Sequence, residues 1–268
     1  YMLIKAEQNR WLNDEALVLA ILFHDIYYIP TCPNNEFQSA QILIQNTKKK
    51  CKVITDALLF INETIKNEDR TNPMTILDLS IFYRGFAELI DYEHKIFKEF
   101  QMVDLTKYIE EREKILRKYI DDLNKPWILA LIDYVKHRPY KIGVYPGSFQ
   151  PFHKGHLNVL QKAEKVFDKV IIARGKNIKK KLDHDYDLPT SLQFNQMLTY
   201  QTDLSTYIES FKYPDTLIRG LRDGKDLVSE INTATVIKDY VPNVNFCYFI
   251  CDKEYEHISS SMIRELTH

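Results

Sequence analysis

Residues 143–156 read GVYPGSFQPFHKGH, and this stretch decides the fold of the C-terminal half of the chain. An apolar start, a Pro-Gly pair and two histidines ahead of an apolar helical pattern predict a strand, a tight turn and a helix. Glycines at 147 and 155 let backbone N–H groups approach a ligand closely. A helix N-terminus favours anions through its dipole and free N–H groups, and imidazoles beside it can donate hydrogen bonds to phosphate oxygens. The stretch therefore predicts a phosphate-binding turn.

The rest of the C-terminal half continues this pattern with apolar segments of strand length. They occupy residues 142–145, 170–173, 216–219 and 245–250, and residues 157–167 between the first two have helical spacing. Strands that alternate with helices predict a parallel sheet with right-handed crossovers. We therefore expect an α/β Rossmann-like domain over residues 139–268.

The N-terminal half has a helical spacing of apolar residues throughout. The pattern covers residues 16–23, 37–44, 53–65, 86–100, 105–120 and a last short helix that runs to 135. Pro139 follows this last helix, and the residue before a proline is pushed out of the helical region. We predict an all-α domain over residues 1–138, followed by the α/β domain.

The composition limits the kinds of partner and the cellular location that we expect for the protein. Its 268 residues are enough for two domains of ordinary size. A net charge of −1 gives no reason to expect nucleic acid or an anionic membrane as a partner. No apolar run reaches the roughly 20 residues that span a bilayer and no signal peptide is visible, so we expect a cytoplasmic protein. The four cysteines lack metal-site spacing and are expected to be free thiols.

Several separate motifs of the C-terminal half stand in an order that resembles one family. They are residues 145–149, 155–156, 167–170, 179–181 and 218–222, Asp226 with Glu230, and residues 258–265. Over nearly all of residues 141–267 the chain resembles phosphopantetheine adenylyltransferases, within the HxGH/TxGH nucleotidyltransferases. The resemblance implies transfer of AMP from ATP, accompanied by Mg²⁺, to a small phosphorylated acceptor. The acceptor it implies first is 4′-phosphopantetheine, which would give dephospho-CoA and pyrophosphate.

The resemblance also implies roles for individual residues. His156, Lys180 and Arg222 would be catalytic, since they would steady the pentavalent phosphorus and neutralise the phosphates. The implied ATP contacts are Gly147, Ser148, Phe149, His153, His156, Gly220, Leu221, Arg222, Glu230, Tyr255, Ser259, Ser260 and Ser261. The implied acceptor contacts are Ser148, Lys180, Ser205 and Arg219. Members of this family often form rings, so a homo-oligomer is an expected assembly.

Three departures from the family pattern concern the acceptor side. The segment between Lys181 and Thr216 is shorter than usual, Ser205 replaces a larger apolar residue, and Val-Ile at 236–237 replaces Met-Asn. Lys180 and Arg219 are kept, so an acceptor that ends in phosphate still fits. AMP transfer is therefore a firmer prediction than phosphopantetheine, and nicotinamide mononucleotide is the alternative acceptor.

The N-terminal half ends an apolar helix with His24-Asp25, and imidazole and carboxylate both suit a divalent ion. Together with segments 25–27, 35–36, 39–40, 77–79 and 112–116, the half resembles HD-type metal-dependent phosphohydrolases over roughly residues 1–138. The resemblance implies a metal held by His24, Asp25 and Asp78. Asn67 stands where that family has a histidine, and the upstream histidines would fall before Tyr1.

These departures favour a degenerate regulatory or structural domain, incomplete at its N-terminus, over an active hydrolase. Two alternatives to the adenylyltransferase remain open. One is a phosphohydrolase whose second domain senses ATP, and the other is a binding protein in which neither site turns over.

Overall fold

The computed structural model describes residues 1–47, 51–66, 68–176, 186–209 and 216–267. The chain forms two compact units. The first comprises Tyr1–Ile96 and Glu110–Lys136, and the second comprises Phe97–Ile109 and His137–His268. Residues 97–109, which the sequence pattern assigns to the helical half, therefore belong to the second unit.

The N-terminal half is helical, as predicted. Its helices are α1 Met2–Gln8, α2 Glu15–Phe23, α3 Asn35–Asn46, α4 Lys52–Lys66, α5 Pro73–Asp78, α6 Phe86–Glu99, α7 Leu105–Lys118 and α8 Lys125–His137, with a 3-10 helix at Leu79–Tyr83. Side chains that precede a helix fix two of the starts. Asp14 accepts hydrogen bonds from the N–H groups of Ala16 and Leu17 at 3.0 and 3.1 Å, and Asn72 caps α5 ahead of Pro73.

The core of the first unit is built by α2, α4 and α5. Leu17, Ile61, Met74 and Leu77 are at most 1% exposed and belong to one buried cluster. No helix within the described ranges is long and apolar enough to span a bilayer.

The second unit contains a five-stranded parallel sheet, which confirms the predicted α/β class. The strands are β1 Ile142–Gly147, β2 Lys169–Gly175, β3 Gln196–Tyr200, β4 Thr216–Leu221 and β5 Asn245–Ile250. Their order across the sheet is β3-β2-β1-β4-β5. The chain moves outward from β1 to β3 and then returns to the other side of β1 with β4. The carboxyl ends of β1 and β4 therefore form the topological switch point, where parallel sheets bind ligands.

The helices of this unit are α9 Lys154–Ala163, α10 Leu204–Glu209, α11 Gly224–Tyr240 and α12 Ser260–Thr267, with 3-10 helices at Thr190–Phe194 and Lys253–Tyr255. The sequence pattern did not predict helices α10 and α11, and two further elements differ from it. Strand β3 was not predicted, and α9 begins three residues before the predicted start at Leu157 and ends at Ala163, not at Phe167. The chain turns after Ala163, whose carbonyl oxygen accepts hydrogen bonds from the N–H groups of Val166 and Phe167. Phe167 then packs against the core beneath the sheet.

Phe149 anchors the turn between β1 and α9. Its side chain is 1% exposed and lies in the core with Tyr145, Leu160 and Ile172. Its backbone has a φ of 50°, and its ring takes the space beside Gly147, where an added Cβ would lie 2.7 Å from the ring. Gly147 is therefore needed for the packing of Phe149.

Lys169, at the start of β2, ties the segment 97–109 to the sheet. Its side chain is buried, and its Nζ donates hydrogen bonds to the carbonyl oxygens of Gln101 and Val103, the second at 2.9 Å. Burial lowers the pKa of Lys169 to about 8, although the charge of Asp104 acts in the opposite direction.

Candidate active site

A cavity of about 350 Å³ lies at the switch point of the sheet. It is bounded by the ends of β1 and β4, the first turns of α9 and α11, and the turn that precedes α12. Its lining is Tyr145, Pro146, Gly147, Ser148, Phe149, His153, Gly155, His156, Val159, Arg219, Gly220, Leu221, Arg222, Asp226, Glu230, Cys251, Tyr255, Ile258, Ser259 and Ser260.

Two stacked histidines occupy the start of α9. The ring centroids of His153 and His156 are 3.7 Å apart, and Phe149 packs edge-on against His156 at 5.1 Å. The backbone N–H of His153 donates to Nδ1 of His156 at 3.3 Å. Because Nδ1 accepts this hydrogen bond, the proton of the neutral His156 ring lies on Nε2. No described residue accepts a hydrogen bond from that Nε2–H, which is therefore available to a ligand in the cavity.

Both histidines are held in the neutral state. Burial, and then the proximity of His153 and the charge of Arg222, lower the pKa of His156 to about 3. Burial and the charge of Arg222 also lower the pKa of His153. His153 Nδ1 is buried and has no hydrogen-bond partner within the described ranges. The pair can therefore donate hydrogen bonds or accept them without bringing a positive charge.

Two arginines at the end of β4 are each held by a carboxylate from α11. Arg219 donates from Nε and Nη2 to the two oxygens of Glu230, both at 2.6 Å. Arg222 donates in the same way to Asp226, at 2.8 and 2.9 Å. Burial acts to lower the pKa of Arg219, but its pairing with Glu230 raises that pKa, and pairing with Asp226 raises that of Arg222. Both guanidinium groups stay charged and fixed in orientation.

The turn before α12 forms another wall of the cavity, and its serines form hydrogen bonds with the start of α12 and with the turn after β1. Ser259 Oγ accepts a hydrogen bond from the N–H of Met262 at 3.1 Å, as a helix cap does. Ser260 Oγ donates to the carbonyl oxygen of Pro151 at 3.0 Å. Arg264 donates to the carbonyl oxygen of Gln150 and to Ser261 Oγ. The hydroxyl groups are thus used within the protein, whereas the backbone N–H groups of Ser260 and Ser261 have no acceptor among the described residues and remain for an anion.

The start of this turn is fixed to α9. Asn158 donates to Asp252 at 2.6 Å and accepts from the N–H of the same residue at 3.0 Å. Lys162 donates to Asp252 and to the carbonyl oxygen of Ile250, both at 2.6 Å. Helix α9 therefore has two functions in the site. Its start carries the histidine pair, and its later residues Asn158 and Lys162 hold the turn that forms the opposite wall.

Most of the residues that the family resemblance implies lie together in this lining. Among the ATP contacts they are Gly147, Ser148, Phe149, His153, His156, Gly220, Leu221, Arg222, Glu230, Tyr255, Ser259 and Ser260; among the acceptor contacts they are Ser148 and Arg219. Phe149 lies behind His156, with a side chain that is almost wholly buried. Ser261 and Ser205, on α12 and α10, are outside the lining formed by the described residues. Lys180 lies outside the part of the chain that the structure describes.

Two polar residues of the lining, Asp226 and Cys251, were given no role from the sequence, although Asp226 belongs to one of the family motifs. Asp226 pairs with Arg222 four positions before it, and an opposite-charge pair at this spacing is a signal that could have been read. Cys251 is buried beside Gly155. Nothing in the sequence around Cys251 marks it, because its place depends on the packing of β5 against α9.

The metal site predicted in the helical half is not assembled by the described residues. His24 Nδ1 lies 3.0 Å from the carbonyl oxygen of Ile21, and Nε2 lies 3.1 Å from Asp25. Burial acts to lower the pKa of His24, but Asp25 and then Asp78 raise it above its usual value. Within the described ranges no three His, Cys, Asp or Glu side chains are placed to hold a metal ion. This geometry does not fit the expected divalent metal at His24, Asp25 and Asp78.

Comparison with known proteins gives the family of the second half. A family model described as cytidylyltransferase-like matches residues 144–266. A phosphopantetheine adenylyltransferase of Mycoplasma capricolum is 38% identical over 134 residues, which are 47% of this chain and 96% of that protein. The enzymes of the same name from Syntrophomonas wolfei and Buchnera aphidicola are 34% and 32% identical, with 82% and 81% of their lengths covered by 47% of this chain.

The match confirms the resemblance read from the C-terminal motifs, and it does not extend to the helical half. The chain belongs to the phosphopantetheine adenylyltransferase family of cytidylyltransferase-like proteins.

Proposed function

We propose that the protein transfers AMP from ATP to 4′-phosphopantetheine, forming dephospho-CoA and pyrophosphate. One observation carries the proposal: a neutral histidine with its Nε2–H free for a ligand and two oriented arginines face one cavity at the switch point of the sheet. These are phosphate-binding donors, and the relatives that share this half are named for the same reaction.

The reaction needs alignment and charge stabilisation, and it needs no protein nucleophile. An oxygen of the acceptor's phosphate attacks the α-phosphorus of ATP. The bond between that phosphorus and the oxygen bridging to the β-phosphate breaks, and pyrophosphate leaves with the bonding electrons. His156 donates from Nε2 to the α-phosphate oxygens as negative charge builds, Arg222 binds the leaving phosphates, and Arg219 binds the acceptor's phosphate.

Magnesium fits this site as a companion of ATP. Asp226 and Glu230, the two carboxylates of the described lining, are each engaged by an arginine. The protein therefore offers a cation few ligands of its own, and phosphate oxygens would hold most of the Mg²⁺ coordination. When bound, the ion would neutralise charge on the leaving pyrophosphate. Lys180, proposed to assist in this, belongs to the segment outside the described residues.

The test is pyrophosphate release by the full chain with ATP and Mg²⁺. Separate reactions contain 4′-phosphopantetheine, nicotinamide mononucleotide, or pantetheine without its phosphate as the matched control. We expect release with 4′-phosphopantetheine alone and dephospho-CoA as the product by mass spectrometry. Release with nicotinamide mononucleotide would reassign the acceptor, and no release with either would contradict the proposed function.

For the helical half we propose an HD-like scaffold that does not assemble a metal centre. The pattern around His24-Asp25 supports the likeness, and the engagement of both His24 ring nitrogens supports the lack of a metal. The measurement is the metal content and phosphatase rate of His24→Ala beside those of the wild type. Equal values are expected. A stoichiometric metal that the variant loses would restore the hydrolase interpretation.

A further inference from the structure

The two arginines of the cavity are held in the same way by one helix. Arg219 and Arg222 stand three positions apart at the end of β4. Glu230 and Asp226, their partners, stand four positions apart, so they share one face of α11. In each pair, Nε and one terminal nitrogen meet both oxygens of the carboxylate at 2.6–2.9 Å. Such a fork fixes the plane of a guanidinium as well as its distance.

Helix α11 is itself fixed at the end that carries these acids. Asp223 precedes the helix, and its side chain accepts hydrogen bonds from the N–H groups of Lys225 and Asp226 at 2.8 and 2.9 Å. The N–H of Arg222 donates to Asp226 as well, at 2.9 Å. The strand end and the helix start are therefore joined through both backbone and side chains, and the acids have a defined position relative to the arginines.

The forks leave one nitrogen of each guanidinium unused. No residue in the described ranges accepts a hydrogen bond from Nη1 of Arg219 or from Nη1 of Arg222, and both side chains line the cavity. The side chains of Arg219 and Glu230 are only 21% and 18% exposed, so water competes weakly for this pair. The acids occupy the edge of each guanidinium that carries Nε and Nη2, and the edge that carries Nη1 is available to phosphate oxygens.

We propose that Asp226 and Glu230 are positioning residues for the transfer: each acts through its arginine, and Glu230 orients Arg219 toward the acceptor's phosphate. The inference rests on the proposed function and assigns Glu230 a different role from the ATP contact implied by the family resemblance. In the same manner, Asp226 orients Arg222 toward the phosphates of ATP.

The charges of the lining agree with this division of roles. Two arginines and two carboxylates cancel, and both histidines are neutral, so the described lining presents oriented donors without net positive charge. Donor geometry then selects phosphate in the described part of the site. Pyrophosphate, once formed, meets no excess of fixed positive charge there that would hold it back.

Single variants separate the two halves of the proposal. Glu230→Gln keeps the size of the side chain, but its amide N–H₂ meets the donors of Arg219 and breaks the fork. We expect kcat/KM for 4′-phosphopantetheine to fall about 10- to 100-fold, the effect of losing a hydrogen bond to a charged group, while the Kd of ATP–Mg²⁺ changes little. Glu230→Asp keeps the charge and should recover part of the loss. Asp226→Asn should show the opposite split, with weaker ATP binding and a nearly unchanged KM for the acceptor.

Double-mutant cycles provide the decisive measurement, with Asp239→Asn, an exposed acid near the end of α11, as the matched control. If Glu230 acts through Arg219, Glu230→Gln adds no further loss of kcat/KM in an Arg219→Ala background. In the same way, Asp226→Asn should not weaken ATP binding any further in an Arg222→Ala background. Losses that add in full would overturn the inference, since they would mean that the acids contact the substrates directly.

Failure of this inference can be told apart from failure of the proposed function. Wild-type protein that releases no pyrophosphate contradicts the function, and the Asp226 cycle can still be run on ATP binding by calorimetry. Wild-type turnover combined with additive cycles contradicts the positioning roles alone. Thermal unfolding checks that each variant folds, and Glu230→Asp with Asp226→Glu replaces any variant that does not.

Discussion

At the scale of single residues, burial determines which chemistry the histidine pair can perform. In the ligand-free cavity, burial lowers the pKa of His156 to about 3, so its ring is neutral near pH 7. It can donate the Nε2 hydrogen, and such a donor stabilises charge in a transition state without a change of protonation.

The first prediction concerns removal of this donor. We expect His156→Ala to lower kcat about 10²- to 10³-fold, as loss of an oriented transition-state donor does, with a smaller change in the KM for ATP. Steady-state kinetics of pyrophosphate release are the measurement. His137→Ala removes an exposed histidine outside the cavity lining and serves as the control. A His156→Ala enzyme that retains most of its turnover would remove His156 from the catalytic set.

The second prediction concerns the protonation of the same ring. In nitrogen-15 NMR spectra of the folded protein, His156 should show the Nε2–H tautomer and no titration between pH 8 and about 5, whereas His24 should titrate above 6.5. The pKa of His156 is lower in the folded than in the unfolded state. Its contribution to stability is therefore complete above pH 6.5 and is lost as the pH falls toward 3, by up to about 1.4 kcal/mol per pH unit. A His156 signal that titrates near 6.5 would contradict the burial argument.

The identities of these residues could be read from the sequence, but their charge states could not. The spacing of His153 and His156 and the Gly-Leu-Arg segment that ends with Arg222 are local patterns. The pKa of His156 depends on Phe149 behind it, His153 stacked on it and Arg222 across the cavity, and this arrangement exists only in the folded sheet. The same holds for Arg219 and Glu230, which are eleven positions apart and meet only because α11 returns to β4.

At the scale of elements, Ser260 and Arg264 of α12 hold the turn after β1 in place, and we call this pair of contacts the clamp. Arg264 reaches from α12 to the carbonyl oxygen of Gln150, and Ser260 reaches to that of Pro151. These bonds hold the turn that carries Ser148 and Phe149. The clamp thus joins two walls of the cavity that are more than a hundred residues apart in the sequence.

The third prediction tests this clamp. Arg264→Ala should weaken ATP binding and lower the free energy of unfolding by about 1–3 kcal/mol, because the carbonyl oxygen of Gln150 loses a charged donor. Calorimetry with ATP and denaturant unfolding are the two measurements. Glu265→Gln changes an exposed neighbour on α12 and is the control for helix and charge effects. Unchanged ATP affinity in Arg264→Ala would show that the turn holds its shape without the clamp.

The elements that the sequence could predict are those with long uniform patterns. Strands β1, β2, β4 and β5 follow from apolar periodicity, and so do the longer helices of the first half, whereas the short helices α1 and α5 were not predicted. Strand β3 lies at the edge of the sheet, and its Gln196 and Thr199 interrupt the apolar run that marks a buried strand. The start of α9 could not be placed by periodicity because it is set by the extended backbone of His153, ahead of the first apolar position.

At the scale of the whole molecule, the second unit includes a segment from the helical half of the sequence. The Mycoplasma capricolum relative is matched over 96% of its length by 47% of this chain, so that enzyme has no room for a comparable helical half. In this protein, Phe97 and Tyr108 from the segment 97–109 are buried, and Lys169 donates to the carbonyl oxygens of Gln101 and Val103. The boundary near residue 138, drawn from the change in periodicity, separates this segment from the sheet that it packs against.

The fourth prediction follows from that packing. Lys169→Met in the full chain leaves two carbonyl oxygens of the turn without their donor, which should cost about 1–3 kcal/mol of stability. In a fragment of residues 139–268, these carbonyl groups are absent. The same substitution there should change stability by less than about 0.5 kcal/mol, while the fragment itself should be less stable than the second unit of the full chain.

Hydrogen exchange of peptides from β2 is the suitable measurement, since both tryptophans, Trp11 and Trp127, lie in the first unit and do not report on the sheet. Lys165→Met, an exposed lysine near the end of α9, is the control for loss of a charge. Faster exchange of β2 only in the full-chain Lys169→Met protein would show that the segment 97–109 and the sheet fold as one unit. Equal effects of the substitution in both proteins would show that Lys169 acts within the sheet alone. The domain boundary drawn at residue 138 would then hold for stability as well as for sequence.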